Sequence, residues 1–333
     1  MKIRSMGNPG LRILAAVAAL AGCGGVTQPQ AAIPIAGPDV MPHSPSLAIW
    51  MGFARGTAAR PKLTYVSEFD ATTVSAYTSD NRKNEAPVCQ SGSVHDPEGI
   101  ATDRFGNLYA AVGFSGFRGY GIATFAPSCG KAGPTFNEDL GLPEDPAVDG
   151  RTLYLTNLDN GSLPVTVLVY NIDAGSQPVG ELTDPSAGEG LGVAVNSHHD
   201  LFWSTTNALT GHGQVIEFRK GRLPGRVLKA TFMNSGFPGG VLFDKSDNLL
   251  FVVQASAPAI YIFAPPYDAP PASTISLKAS AVYCTLSVDQ RQIFCLDYSN
   301  GSVDAYAYPK GTYLYSYTSG IESSEDPIGI AVQ

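Results

Sequence analysis

The sequence predicts an all-β fold, a six-bladed β-propeller whose N- and C-terminal strands close one blade. Three observations carry this. A polar residue closing a short apolar run recurs at near-constant spacing along the chain. A second pattern, Val or Ile three residues before an aromatic, recurs in step with it. The two ends of the 333-residue chain supply complementary parts of one repeat.

In chain order, residues 1–22 read as an export signal. Lys2, Arg4 and Arg12 form a basic start, and Ile13 to Ala21 is apolar but too short to span a bilayer. The run ends in Leu20-Ala21-Gly22-Cys23, which resembles the lipobox of bacterial lipoproteins. The resemblance implies cleavage before Cys23 and a lipid, palmitate included, attached to it. Buried CH₂ groups would then anchor the chain to a membrane. Gly24, rather than Asp, follows the Cys, which implies an outer-membrane or cell-surface address. The alternative is an ordinary signal peptide with a chance Cys.

Residues 23–62 read as the lipidated Cys plus a tether. "GGVTQPQAAIPIAGPDVMPHSP" is rich in Pro, Ala, Gly and Gln and has no sustained period. "LAIWMGF", Leu47 to Phe53, is apolar and is expected to pack on the domain edge through Trp50.

Residues 63–333 form the repeat region. With 36 Gly and 25 Pro, and no helical period lasting more than two turns, a helical protein is excluded. Charged residues make up 15% and the net charge is −8, which excludes a nucleic-acid partner needing clustered Lys and Arg.

The stretch "DPEGIATDRFGNLYAA", Asp96 to Ala111, shows one repeat start: apolar run, polar turn, apolar run. Asp103 closes its first run. Asp149, Asn196, Asp244, Asp289 and Gln333 close similar runs, at successive intervals of 46, 47, 48, 45 and 44 residues. A period in the forties with short strands is that of a β-propeller. Each closing residue but the last is followed by a turn and an apolar strand. A third strand then carries the pairs Ile122/Phe125, Val167/Tyr170, Val215/Phe218, Ile260/Phe263 and Val303/Tyr306. A sixth pair, Val74/Tyr77, lies upstream. The C-terminal "DPIGIAVQ" copies "DPEGIATD" but supplies only a first strand. The N-terminal "LTYVSEFDATTVSAYTSD" supplies a second and a third. Together they complete a sixth blade and remove the exposed edges of an open array.

The segment Pro97 to Tyr109 fits P-x-G-I-A-x-D-x-x-G-N-L-Y, and the repeat resembles the NHL type. That resemblance, over roughly residues 63–333, implies a β-propeller, often six-bladed. It implies no activity, because such repeats serve RNA-binding modules, protein-binding modules and lyases alike. The Gly-His and Trp-Asp signatures of WD-type blades are missing.

Besides Cys23 there are four cysteines, an even number in an exported chain, which suggests two disulfides. Cys284 and Cys295 flank one hairpin and face each other if the turn centres on Asp289-Gln290. Cys89 is placed on the outer strand of one blade and Cys129 near the third strand of the next, so that pair would staple neighbouring blades. Four reduced, packed thiols are the alternative. No C-x-x-C and no His close to a Cys supports zinc.

Propeller sites gather where the loops before the innermost strands converge. The residues five before each closing position are Glu98, Glu144, Leu191, Gly239, Cys284 and Ile328. The "PEG" start also resembles gluconolactonase-like six-bladed enzymes, whose comparable loops hold a divalent metal through Glu, Asn and Asp. Glu98 matches that Glu, whereas the Asn and Asp have no counterpart here. Asp96, Glu98, Glu144, Asp145, Glu189 and Asp326 all fall just before first strands and mark the candidate ligand or metal site. Oxygen ligands there could take a divalent cation or a basic ligand. The plain alternative is that Asp-Pro and Glu-Gly serve turn chemistry. His43, His95, His198, His199 and His212 share no repeat position, and no GxSxG, P-loop or HExxH is present.

The expectation is a membrane-anchored, exported propeller acting as a non-catalytic binding scaffold. Its partners would be the membrane, through the lipid, and an unknown protein or small molecule; it would be a monomer with no obligate cofactor. The alternative is a lactonase-like hydrolase or lyase working at the acidic mouth.

Overall fold

A computed structural model describes residues 62–113, 120–138, 141–158, 165–228, 237–254, 257–322 and 326–333. The leader, Cys23 and nearly all of the tether lie outside the described residues. Six four-stranded antiparallel sheets form the blades. β1 (Leu63–Glu68), β2 (Val74–Thr78) and β3 (Cys89–Gln90) begin the closing blade. The first full blade is β4 (Ile100–Thr102), β5 (Leu108–Gly113), β6 (Tyr120–Phe125) and β7 (Phe136–Glu138). The second is β8 (Leu142–Asp149), β9 (Thr152–Leu158), β10 (Thr166–Asn171) and β11 (Pro178–Leu182). The third is β12 (Ala187–Val195), β13 (Leu201–Asn207), β14 (Gly213–Phe218) and β15 (Arg226–Val227). The fourth is β16 (Phe237–Phe243), β17 (Leu249–Gln254), β18 (Ala259–Phe263) and β19 (Ser273–Ser276). The fifth is β20 (Ala281–Leu286), β21 (Gln292–Asp297), β22 (Ser302–Ala307) and β23 (Thr312–Tyr317). β24 (Pro327–Val332) returns to pair with β1.

The first strands touch one another in the order β4, β8, β12, β16, β20, β24 and back to β4. They are the innermost strands of a closed ring. Closure rests on the register Thr64↔Val332, Tyr65↔Ala331 and Val66↔Ile330, so the ring has no open edge at its seam. Among the described residues no helix is long and apolar enough to cross a membrane.

The three-residue spacing in the third strands has a physical cause. Side chains alternate faces along a strand, so residues three apart point to opposite faces. All twelve residues of the six pairs are at most 2% exposed. Val167 packs into the cluster of Phe218, whereas Tyr170 packs into that of Ile122. Val215 shares a cluster with Phe263, Ile260 with Tyr306, and Val303 with Tyr77. Val74 and Phe125 complete the circuit. Each blade thus sends its aliphatic residue to one neighbour and its aromatic to the other. The core is six inter-blade layers.

The closing residues shape the turns after the inner strands. Asp103 Oδ1 accepts from the backbone N–H groups of Phe105 (2.8 Å) and Asn107 (2.9 Å). Asp244 does the same for Ser246 and Asn248, and Asn196 for His198 and Asp200. One expectation needs correction. In the fifth blade the turn residue is Ser287, whose Oγ accepts from Gln292 N at 3.0 Å. Leu286 pairs with Ile293 as Phe243 pairs with Leu249. Asp289 lies inside a longer turn, two residues past the equivalent position.

Both cysteine pairs are disulfides. Cys284 and Cys295 are direct cross-strand partners between β20 and β21, with Cα atoms 4.2 Å apart. Cys89, on outermost β3, joins Cys129, in the turn after β6, with Cα atoms 6.0 Å apart. This second bond staples the closing blade to the first full one.

Candidate functional site

The acidic residues converge where the inner strands begin, at one end of the channel. Asp96 and Glu98 precede β4, and Asp326 directly precedes β24. Glu144, Asp145 and Glu189 are not in preceding loops, as the sequence implied. They lie inside β8 and β12, where the strands lose regular pairing. The register shifts between Pro143 and Pro146, and twice between Ala187 and Val193. Such bulges re-aim side chains that an ideal strand would alternate.

Counted back from the turn residues Asp103, Asn196 and Gln333, Asp96, Glu189 and Asp326 occupy the same position in three blades. Asp96 (φ 44°) and Asp326 (φ 47°) both sit in the left-handed region, each just before a proline. Asp tolerates that conformation better than most residues. Strain recurring at equivalent positions accompanies functional loops. Two residues further along stand Glu98 and Glu144; their equivalents Leu191, Gly239, Val282 and Ile328 carry no side-chain oxygen. With Ser287 as the turn residue, Val282 replaces Cys284 in this set.

The backbone beneath the acids is fixed by cross-blade bonds. Gly99 N donates to Glu144 O at 2.7 Å, and the Ser67 hydroxyl donates to the Glu98 carbonyl. The Thr156 hydroxyl donates to Leu191 O (2.7 Å) and that of Ser204 to Gly239 O (2.7 Å). Asp145 Oδ2 accepts from Val193 N at 3.0 Å, so Asp145 also ties its blade to the next. Among the described residues no Lys, Arg or His pairs with Asp96, Glu98, Glu144, Asp145 or Glu189.

Burial and mutual repulsion therefore act on these carboxyls with no opposing charge among the described residues. Burial first, then Asp96 and Asp326, pushes Glu98 up to about 8. Burial, then Glu98, Asp145 and Glu189, pushes Glu144 well above the carboxylate range. Burial raises Asp145, partly offset by the Val193 N–H, and burial also raises Glu189. Glu98 and Glu144 remain partly open to solvent, so the mouth is reachable. Near neutral pH Glu98 is therefore held toward its protonated form.

Sequence reasoning missed Tyr283. It occupies the place of Asp145, one residue past Val282, on β20. It is 5% exposed, and its hydroxyl has no hydrogen-bond partner among the described residues. Burial, then Asp145, Glu144 and Glu98, raises that hydroxyl well above its ordinary value. The side chain therefore lies within electrostatic reach of the acids on β8 and before β4. A Cβ on Gly240 would approach its Cδ1 to 2.5 Å, so glycine is what admits the ring. Counting four residues back from Ser287, the turn residue that pairing in the fifth blade identifies, is what finds Tyr283.

His95 bridges to Gly113 at the mouth end. His198 and His199 sit in the turn at the opposite end of β12, and His199 Nδ1 contacts Asp149 Oδ2 at 2.8 Å. Among the described residues no three His, Cys, Asp or Glu side chains are grouped to hold a metal ion. Of the Glu, Asn and Asp implied by the gluconolactonase resemblance, Glu98 is matched, and at its level of the ring only Glu144 adds another side-chain oxygen.

No known protein family matches the chain. No curated protein matches it either. Solved structures do. A chain of a nidogen–laminin complex is 19% identical with a TM-score of 0.63, covering 81% of this chain and 98% of that one. TolB from Acinetobacter baumannii is 13% identical at 0.58, covering 86% and 70%. The periplasmic gluconolactonase of Pseudomonas aeruginosa is 14% identical at 0.54, covering 82% and 85%. These likenesses are of fold. Their functions are mixed.

Proposed function

We propose that this chain is an exported β-propeller, anchored in the cell envelope through a lipid on Cys23, that binds a ligand at the acidic mouth of its channel and performs no chemistry on it. One observation carries the reading: Glu98 and Glu144, on adjacent blades, share the mouth with Asp96, Asp145 and Glu189, and among the described residues no Lys, Arg or His pairs with any of these five. Such a cluster works against folding, and retention at a cost to stability is what a binding site entails. The lipobox likeness and the long tether support the address. A lactonase-like activity has Glu98 in its favour. The four apolar or glycine equivalents around the ring deny it the metal ligands that chemistry uses.

The test is thermal unfolding of Glu98→Gln/Glu144→Gln without added ligand. Neutralising two repelling acids should raise the melting temperature at pH 8 by several degrees. A lower melting temperature would mark them as structural and sink the reading.

A further inference from the structure

We propose that the mouth binds a primary alkylammonium group, held between the carboxyls of Glu98 and Glu144 on one side and the ring and hydroxyl of Tyr283 on the other; this rests on reading the mouth as the ligand site. In the ring order, β20 stands diametrically opposite β8. Tyr283 and Glu144 therefore stand on opposite strands of the ring, and the Tyr283 hydroxyl lies within electrostatic reach of Glu144 and Glu98.

The hydroxyl of Tyr283 is the independent sign of a ligand. It is buried without a partner among the described residues, a state that proteins avoid because the desolvation is not returned. Its neighbours across the channel are acids, which need a donor or a positive charge between them and it. An ammonium supplies three N–H donors, enough for two carboxyls and a phenol oxygen. Its charge also suits an aromatic face.

The alternatives fit less well. Ca²⁺ wants six to eight oxygens at short range, and among the described residues not even three His, Cys, Asp or Glu side chains are grouped to hold a metal ion. An anion is repelled. The remaining positions level with the glutamates are Leu191, Gly239, Val282 and Ile328, which offer an alkyl chain an apolar surround. Acid on one side and hydrocarbon on the others describes an alkylamine, whether free or at the end of a lysyl side chain.

Proton accounting follows. Glu98 faces Asp96 on its own loop, Asp326 ahead of β24, Glu144 on β8 and Tyr283 on β20. Among the described residues no Lys, Arg or His pairs with Asp96, Glu98 or Glu144. An arriving ammonium favours the ionised carboxyls, so binding releases protons and tightens as pH rises toward 8. The amine itself stays charged over that range.

Isothermal titration of the full chain in detergent tests this, with cadaverine, Nα-acetyl-lysine amide, its Nε-acetylated form and Ca²⁺ as probes. The two amines distinguish a free ligand from a lysyl one. Expected is binding of at least one amine with proton release, tightening about tenfold between pH 6 and 8, and none of the Nε-acetylated form. Glu98→Gln/Glu144→Gln should abolish it. Tyr283→Phe should weaken it about fivefold without lowering the melting temperature. Amine binding undiminished in the double variant, or no amine binding, overturns the inference. Ca²⁺ binding in its place, lost in the double variant, overturns the amine alone and leaves the mouth a ligand site. A double variant that melts lower than wild type overturns both.

Discussion

The hydroxyl of Tyr65 donates to Oε1 of Gln333 across 2.7 Å, tying the first strand to the last residue. Around it, Gln333 N donates to Leu63 O (2.8 Å) and the Thr102 hydroxyl to Val332 O (2.8 Å). β24 is thus held by both the blade it completes and the blade after it. Deleting Asp326 to Gln333 should bare the edge of β1 and empty one layer of core. The expected outcome is aggregation or a melting point lower by more than about 10 °C. A soluble truncation that melts like the parent would refute the seam.

Glu98 gives stability a pH dependence. Its carboxyl holds a proton up to about 8 when folded but loses it near 4.5 when unfolded. Between those values the folded state binds more protons, so stability falls as pH rises from 5 to 8. Allowing for partial exposure, the decline should be of order 2–3 kcal/mol. Melting curves across that range would show it, and Glu98→Gln/Glu144→Gln should flatten it.

The Cys89–Cys129 bond spans 40 residues and two blades. Replacing both with Ser should cost about 3–4 kcal/mol by loop entropy. A denaturant midpoint unchanged in non-reducing buffer would show that the staple carries nothing.

Gly192 lies where inner strands nearly touch. A Cβ there would meet Gly240 Cα at 2.5 Å and Val241 N at 2.8 Å, both backbone. Gly192→Ala should destabilise by about 1–3 kcal/mol. Gly92→Ala, where the nearest atom is 3.6 Å away, serves as the tolerated control. Equal losses in the two would show that packing is not the cause.

Cys23→Ser tests the address. The variant should leave the membrane fraction or accumulate as uncleaved precursor. Membrane-bound, lipid-labelled Cys23→Ser protein would rule out lipidation at that residue.

The blades were legible because two recurring signals are local. The Asp103-type turn is made by one side chain and its own next residues. The Val–aromatic pair reports two faces of one strand. Cys284 and Cys295 were legible from hairpin register alone. The mouth was legible only in part. Asp96, Glu98 and Asp326 follow from their place before a strand, but bulges that draw Glu144, Asp145 and Glu189 into strands leave no mark in composition. Tyr283 was hidden by a turn that lengthened in one blade and moved the acidic residue with it. What it faces is set by the ring order of the blades, a long-range fact that no window of sequence contains.

The division of each Val–aromatic pair between two layers has a consequence for how the domain comes apart. No blade owns a core: Tyr170 without the preceding blade, or Val167 without the following one, is a bare hydrophobe. A single blade excised from the ring has nothing to fold around, and a ring missing one has two raw faces. Unfolding should accordingly be cooperative across the whole ring, with all six layers lost in one transition and no stable half-propeller on the way.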